Sequence, residues 1–141
     1  MTDTFEVFDK EYESSGVGRS YAGDSPLQMV TQFAKAMKQP QHREWLSGTD
    51  LDQLRIGLIS EEYNEVMGAT EAENLLKELA DLIYVTYGFA STFGWDLDEA
   101  LRRVHASNMS KLGADGAPIY RKDGKVLKGP NYKKPNLTDL I

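Results

Sequence analysis

Two stretches decide how this chain is read: SEEYNEV, Ser60 to Val66, and KELADLI, Lys77 to Ile83. The first carries Glu61, Glu62 and Glu65, and the second carries Glu78 and Asp81. Both sit in segments with a helical period. Before the first, Leu51, Leu54 and Leu58 mark one stripe. Continued by three or four residues, that stripe reaches Glu61 or Glu62 and then Glu65, so the spacing puts these acids on the inward face. In the second, Leu75, Leu76, Leu79, Ala80, Leu82, Ile83, Tyr84 and Val85 lie around Glu78 and Asp81 in nearly every direction. A helix apolar all round is expected to be central and buried.

Burying a carboxylate costs several kcal/mol unless something compensates it, and neighbouring carboxylates repel one another further. Inside these two segments the basic residues are Arg55 and Lys77. A hard divalent cation offsets the charge better, because magnesium takes oxygen ligands and keeps waters for a substrate phosphate. The competing explanation is a set of salt-bridged acids on solvated helices. That accounts for EExxE by itself, and less well for ExxD within an apolar helix that follows directly.

The flanking sequence supplies helix boundaries. Asp24-Ser25-Pro26 is a start signal, and Leu27, Val30, Phe33 and Met37 then recur at helical spacing, which predicts a helix over 26–39 closed by Pro40. His42 to Leu46 is compatible with a short turn. A second helix is predicted from Asp50 to about Met67, with Gly68 as its stop. Thr70 and Glu73 fit a capping box for a third, to about Phe93, followed by Gly94. Asp96 and Glu99 make a similar start for a fourth, to about Leu112, ended by Gly113. Residues 1–24 read as an irregular arm. Residues 113–141 are Gly- and Pro-rich, and IYR and KVL around Lys122-Asp123-Gly124 suit a small hairpin. The expected fold is one all-α, four-helix domain over residues 1–141 with an irregular, basic tail.

Length and composition agree with that. A chain of 141 residues can bury one core but not two. No apolar run approaches the length of a membrane span, and the start, MTDTFEVFDKEY, does not read as a signal peptide. Without cysteine, disulfides and thiolate metal sites are excluded. These features fit the cytoplasm. The net charge of −6 argues against a nucleic-acid polymer as the main partner. The charge is uneven: residues 1–112 hold 10 basic and 19 acidic side chains, and residues 113–141 hold 6 and 3. An acidic body with a basic tail could meet a metal-bound anion from both sides, or the tail could simply fold against the body.

Glu61-Glu62-x-x-Glu65, twelve intervening residues and Glu78-x-x-Asp81 resemble the EExxE…ExxD pattern of the all-α nucleoside triphosphate pyrophosphohydrolases, the MazG-like and phosphoribosyl-ATP pyrophosphohydrolase-like proteins. ELADLIYVTYGFASTFG is similar to the second metal helix of that family, and NMSKLGADGAPIYRKDGKVLKGPNYKKPNL to the ending of its single-domain phage and bacterial members. The resemblance covers about residues 27–136. It implies a magnesium requirement, with manganese as a substitute, and cleavage between the α and β phosphates to give a monophosphate and pyrophosphate. It makes Glu62, Glu65, Glu78 and Asp81 the metal ligands and Glu61 the residue that orients or deprotonates the attacking water. It makes Asn108 and Lys111 substrate contacts, with Lys125, Lys128 and Tyr132 closing over the triphosphate. It also implies a homo-oligomer, dimer or tetramer, in which helices of neighbouring subunits complete a bundle and the base pocket.

Other readings stay open. Phosphoribosyl-ATP is an alternative substrate, since both groups share the acid motifs. A di-iron bundle ordinarily uses Glu-x-x-His pairs, and none is present among these acids. A non-catalytic helical interaction module would keep its behaviour when the acids are replaced. Trp45, Trp95, His42 and His105 read as packing or surface residues.

Overall fold

The computed structural model describes residues 21–141, so most of the expected N-terminal arm lies outside the described residues. Among the described residues there are four α-helices: α1 Pro26–Ala36, α2 Asp50–Gly68, α3 Ala72–Phe93 and α4 Leu97–Met109. A single 3-10 turn, Thr138–Leu140, closes the chain. The expected all-α class holds.

Each helix start has a local cause. The Ser25 hydroxyl accepts from Gln28 N and the Gln28 side chain accepts from Ser25 N, a reciprocal cap ahead of Pro26. Thr49 caps α2 by accepting from Asp52 N, and Asp96 caps α4 by accepting from Glu99 N. The capping box expected at Thr70 does not form. Glu71 is the residue before α3 and makes no side-chain cap.

Two helices end earlier than their periodicity predicts. Helix α1 stops at Ala36 because Lys38 turns left-handed, at φ 55°, and Gln39 N reaches back to Ala34 O. Helix α4 stops at Met109 because the Ser110 hydroxyl donates to Ser107 O and accepts from Lys133 N of the returning tail.

The core lies between α1 and the C-terminal half of α3. Val30 and Ala34 of α1 are buried against Tyr87, Ala90 and Phe93 of α3. Trp45, Phe89, Phe93 and Trp95 form an aromatic cluster beside it, with centroids 5.2–6.1 Å apart, so both tryptophans pack as expected. Trp45 Nε1 donates to Asp52 Oδ1 at 2.8 Å, and Gly48 N to Asp52 Oδ2 at 2.9 Å, which fixes the α1–α2 loop on the first turn of α2. Gly94 ends α3 at φ 72°, where a Cβ would lie 2.7 Å from His42 Nδ1. His42 is thereby a packing neighbour of the α3 end.

The expectation that α3 is buried all round is corrected. Its C-terminal half is core, but Leu76, Leu79, Ile83 and Tyr84 are exposed. The short α1 crosses only part of the 22-residue α3, and α2 covers a single side.

The tail folds back on α4. Lys133 O accepts from Ser107 Oγ at 2.7 Å, and the Arg103 guanidinium bonds Asp139 and Asn136 O. The hairpin around Asp123-Gly124 reduces to one antiparallel bridge, Tyr120 with Val126. Gly129 N donates to Lys111 O, and a Cβ at Gly129 would meet Leu112 O at 2.2 Å. None of the described helices is long and apolar enough to cross a membrane.

Candidate metal centre

Helices α2 and α3 form an antiparallel pair joined by a short connection, Ala69 to Glu71. In such a pair, residues equally far from the turn face each other. Glu62 lies six residues before Gly68 and Glu78 six residues after Ala72. Asp81 follows Glu78 by three residues, on the same face of α3. Carboxylate oxygens of Glu62, Glu78 and Asp81 all lie within 4.8 Å of one another. Glu78 is buried, and Glu62 and Asp81 are half-buried.

The packed face of α2 keeps Leu51 and Leu58 of the expected stripe half-buried but not Leu54. Its two buried residues are Asp52 and Arg55, while Leu54 is 56% exposed. Counting from these at intervals of three and four gives Ile59, Glu62 and Val66, all half-buried. Glu62 is therefore on the packed row. Glu61 and Glu65 are exposed beside it, and Glu65 does not join the three clustered carboxylates. The physical reason is the α2–α3 contact, which selects a row that carries polar residues and leaves Leu54 outside.

Electrostatics in the cluster are those of crowded like charges. Burial, then the charges of Asp81 and Glu78, hold the Glu62 carboxyl above its ordinary range. The Lys77 ammonium lies 2.8 Å from Asp81 Oδ2 and 3.2 Å from Glu78 Oε1. Hydrogen bonds to Asp81 and then Glu78 raise its pKa. Lys77, one of the two basic residues that the sequence offers against these acids, pairs with Asp81 at i, i+4 spacing.

Arg55 is also unusual. It is 6% exposed, donates to Gln39 Oε1 at 3.2 Å, and its Nε is buried without a hydrogen-bond partner. Burial lowers its pKa. Gly88 makes room for it, since a Cβ there would lie 3.0 Å from a guanidinium nitrogen.

The other expected site residues lie elsewhere in this chain. Asn108 is exposed near the end of α4, and Lys111 is half-buried just past it. Lys125 and Lys128 are exposed, and Lys128 Nζ sits 4.6 Å over the ring of half-buried Tyr132. Among the described residues, no hydrogen bond or ion pair joins these five to the carboxylates. Helix α4 packs on α1 and on the closing 3-10 turn.

Three converging carboxylates, two from one helix and one from its antiparallel neighbour, define a helical-pair acidic centre that could bind a metal ion. The sequence model of the phosphoribosyl-ATP pyrophosphohydrolase family matches residues 30–108, which include all three acids. The chain belongs to that family, within the MazG-like all-α pyrophosphohydrolases. It is also similar to the uncharacterized protein L479 of Acanthamoeba polyphaga mimivirus, 30% identical over 110 residues and 72% of this chain. The chain spans about two fifths of that relative's length, 41%.

Proposed function

We propose that this chain is a magnesium-dependent pyrophosphohydrolase that cleaves ribo- or deoxynucleoside triphosphates between the α and β phosphates. The observation that carries this is the convergence of Glu62, Glu78 and Asp81 oxygens within 4.8 Å. The donor set is all carboxylate oxygen, which suits a hard cation, and a Lys ammonium already lies against two of the three. Bound magnesium or manganese would neutralise the triphosphate and lower the pKa of a water.

The chain's own residues then divide the work. Glu62, Glu78 and Asp81 hold the ion, with Glu65 reaching in from the next turn of α2. Glu61, next to Glu62, orients the attacking water or takes its proton. Asn108, Lys111, Lys125, Lys128 and Tyr132 contact the substrate, with Lys111 on a phosphate. In the reading, residues 1–141 act as one domain in the cytoplasm.

We further propose a homo-oligomer, dimer or tetramer. Leu79 and Ile83 of α3 face Pro26 and Met29 of α1 across an open groove of about 390 Å³ lined almost wholly by apolar atoms. A second copy covering it would bury those side chains and could bring its α4 and tail to the carboxylates.

Phosphoribosyl-ATP stays as the second reading, because the matching family model carries that activity in its description. The test is pyrophosphate release from a panel of ribo- and deoxynucleoside triphosphates and phosphoribosyl-ATP, with and without magnesium. Metal-dependent release of monophosphate and pyrophosphate from a triphosphate supports the leading reading. Release from phosphoribosyl-ATP alone moves it to the second. Silence on every compound leaves the interaction module.

A further inference from the structure

Lys77 enters the acidic cluster from the solvent side. Its side chain is 66% exposed, whereas the Glu78 side chain it touches is 7% exposed. Its ammonium contacts, at 2.8 and 3.2 Å, fall on two of the three carboxylates that a cation would need. A Lys ammonium and a divalent ion held by the same two carboxylates repel each other, because the two positive charges stand a few ångströms apart. A single positive charge also leaves three clustered carboxylates undercompensated. An exposed ion pair on a flexible four-carbon arm is weak and easily moved.

We propose that Lys77 is an exchangeable counter-ion of this site, which rests on reading the cluster as a metal centre. Without metal, Lys77 bridges Glu78 and Asp81 and restrains their repulsion. When a cation enters, charge repulsion drives the ammonium off these oxygens. Its exposed position then puts it at the mouth of the site, where phosphate oxygens are its natural partners. Free magnesium therefore competes with Lys77, while magnesium that arrives with a triphosphate does not, because the nucleotide takes up the displaced ammonium. Lys77 in this way couples metal binding to nucleotide binding.

The test is calorimetric titration of magnesium chloride into the metal-free full chain, for wild type, Lys77→Met and Lys77→Gln. Each is repeated with a non-hydrolysable triphosphate whose α–β bridge is a methylene. The expected result is that both variants bind free magnesium about fivefold more tightly than wild type. With the analogue present, that advantage disappears or reverses. Wild type that binds free magnesium as tightly as the variants, or more so, overturns the exchange while leaving the metal centre standing. If neither wild type nor variants bind magnesium or manganese, the metal centre falls and the exchange with it. The exposed position of Lys77 and the retention of its stem in Met keep both variants foldable, which circular dichroism checks.

Discussion

Glu78 is a buried acid, 5% exposed, whose ion-pair partner Lys77 stands mostly in solvent. A buried charge whose partner is that exposed is a poor choice for stability and a good one for holding a cation. Glu78→Gln keeps the shape and removes the charge. It is expected to cut magnesium-dependent pyrophosphate release by about a hundredfold or more, as loss of a metal-site contact does; undiminished release would remove Glu78 from the site. Glu62 yields a pH prediction. Its folded pKa is raised above the unfolded value of about 4.5 by burial and by Asp81 and Glu78. The folded state therefore holds its proton in a window where the unfolded chain has lost it, and stability falls as pH rises through that window. In the absence of metal, Glu62→Gln is expected to melt above wild type at neutral pH, with the gain shrinking as pH is lowered to 4. Thermal melts across that range in EDTA are the measurement, and a gain that grows on acidification would reverse the assignment.

Helix ends and loops are held by a few named contacts, and these give predictions of their own. Asp52 is 4% exposed and accepts from both Trp45 Nε1 and Gly48 N. Asp52→Ala leaves both donors unpaired and is expected to cost about 2–4 kcal/mol in denaturant unfolding, with a change in tryptophan fluorescence as Trp45 loosens. At the other end, the Cβ of Gly129→Ala would meet the Leu112 carbonyl at 2.2 Å, a backbone atom that cannot swing aside. It is expected to cost about 1–3 kcal/mol and to free the tail. Trypsin should then cut between Arg121 and Lys134 before it cuts the helices; an unchanged digestion pattern would show the tail held by Ser107 and Arg103 alone. The boundaries themselves were largely legible. Ser25, Thr49 and Asp96 lie where capping residues belong, and Gly94 ends α3 as expected. The ends of α1 and α4 were not, since one depends on a left-handed lysine and the other on a tail that returns from more than 20 residues away.

For the molecule as a whole, the main tension is between a long apolar α3 and the limited cover that one chain provides. Leu76 is 69% exposed and Ile83 55%, far more than a helix of this composition leaves open when its packing is complete. Replacing Leu79 and Ile83 together with glutamate is expected to yield a monomer in sedimentation at micromolar concentration, with wild type sedimenting as a dimer or larger. Sedimentation of wild type as a monomer would sink the homo-oligomer. Helical class, element order and the two acidic motifs could be read from local residue spacing, because caps and periodicity act over a few residues. Spacing could not say which acids converge. It pointed to a stripe of Leu51, Leu54 and Leu58 that ran on to Glu61 or Glu62 and then Glu65; packing kept Leu51, Leu58 and Glu62 half-buried, buried Asp52 and Arg55, left Leu54 outside and put Glu65 at the edge. That choice belongs to tertiary structure, because the face a helix buries is set by the neighbour it meets, Gly88 receiving the Arg55 guanidinium being one such fit.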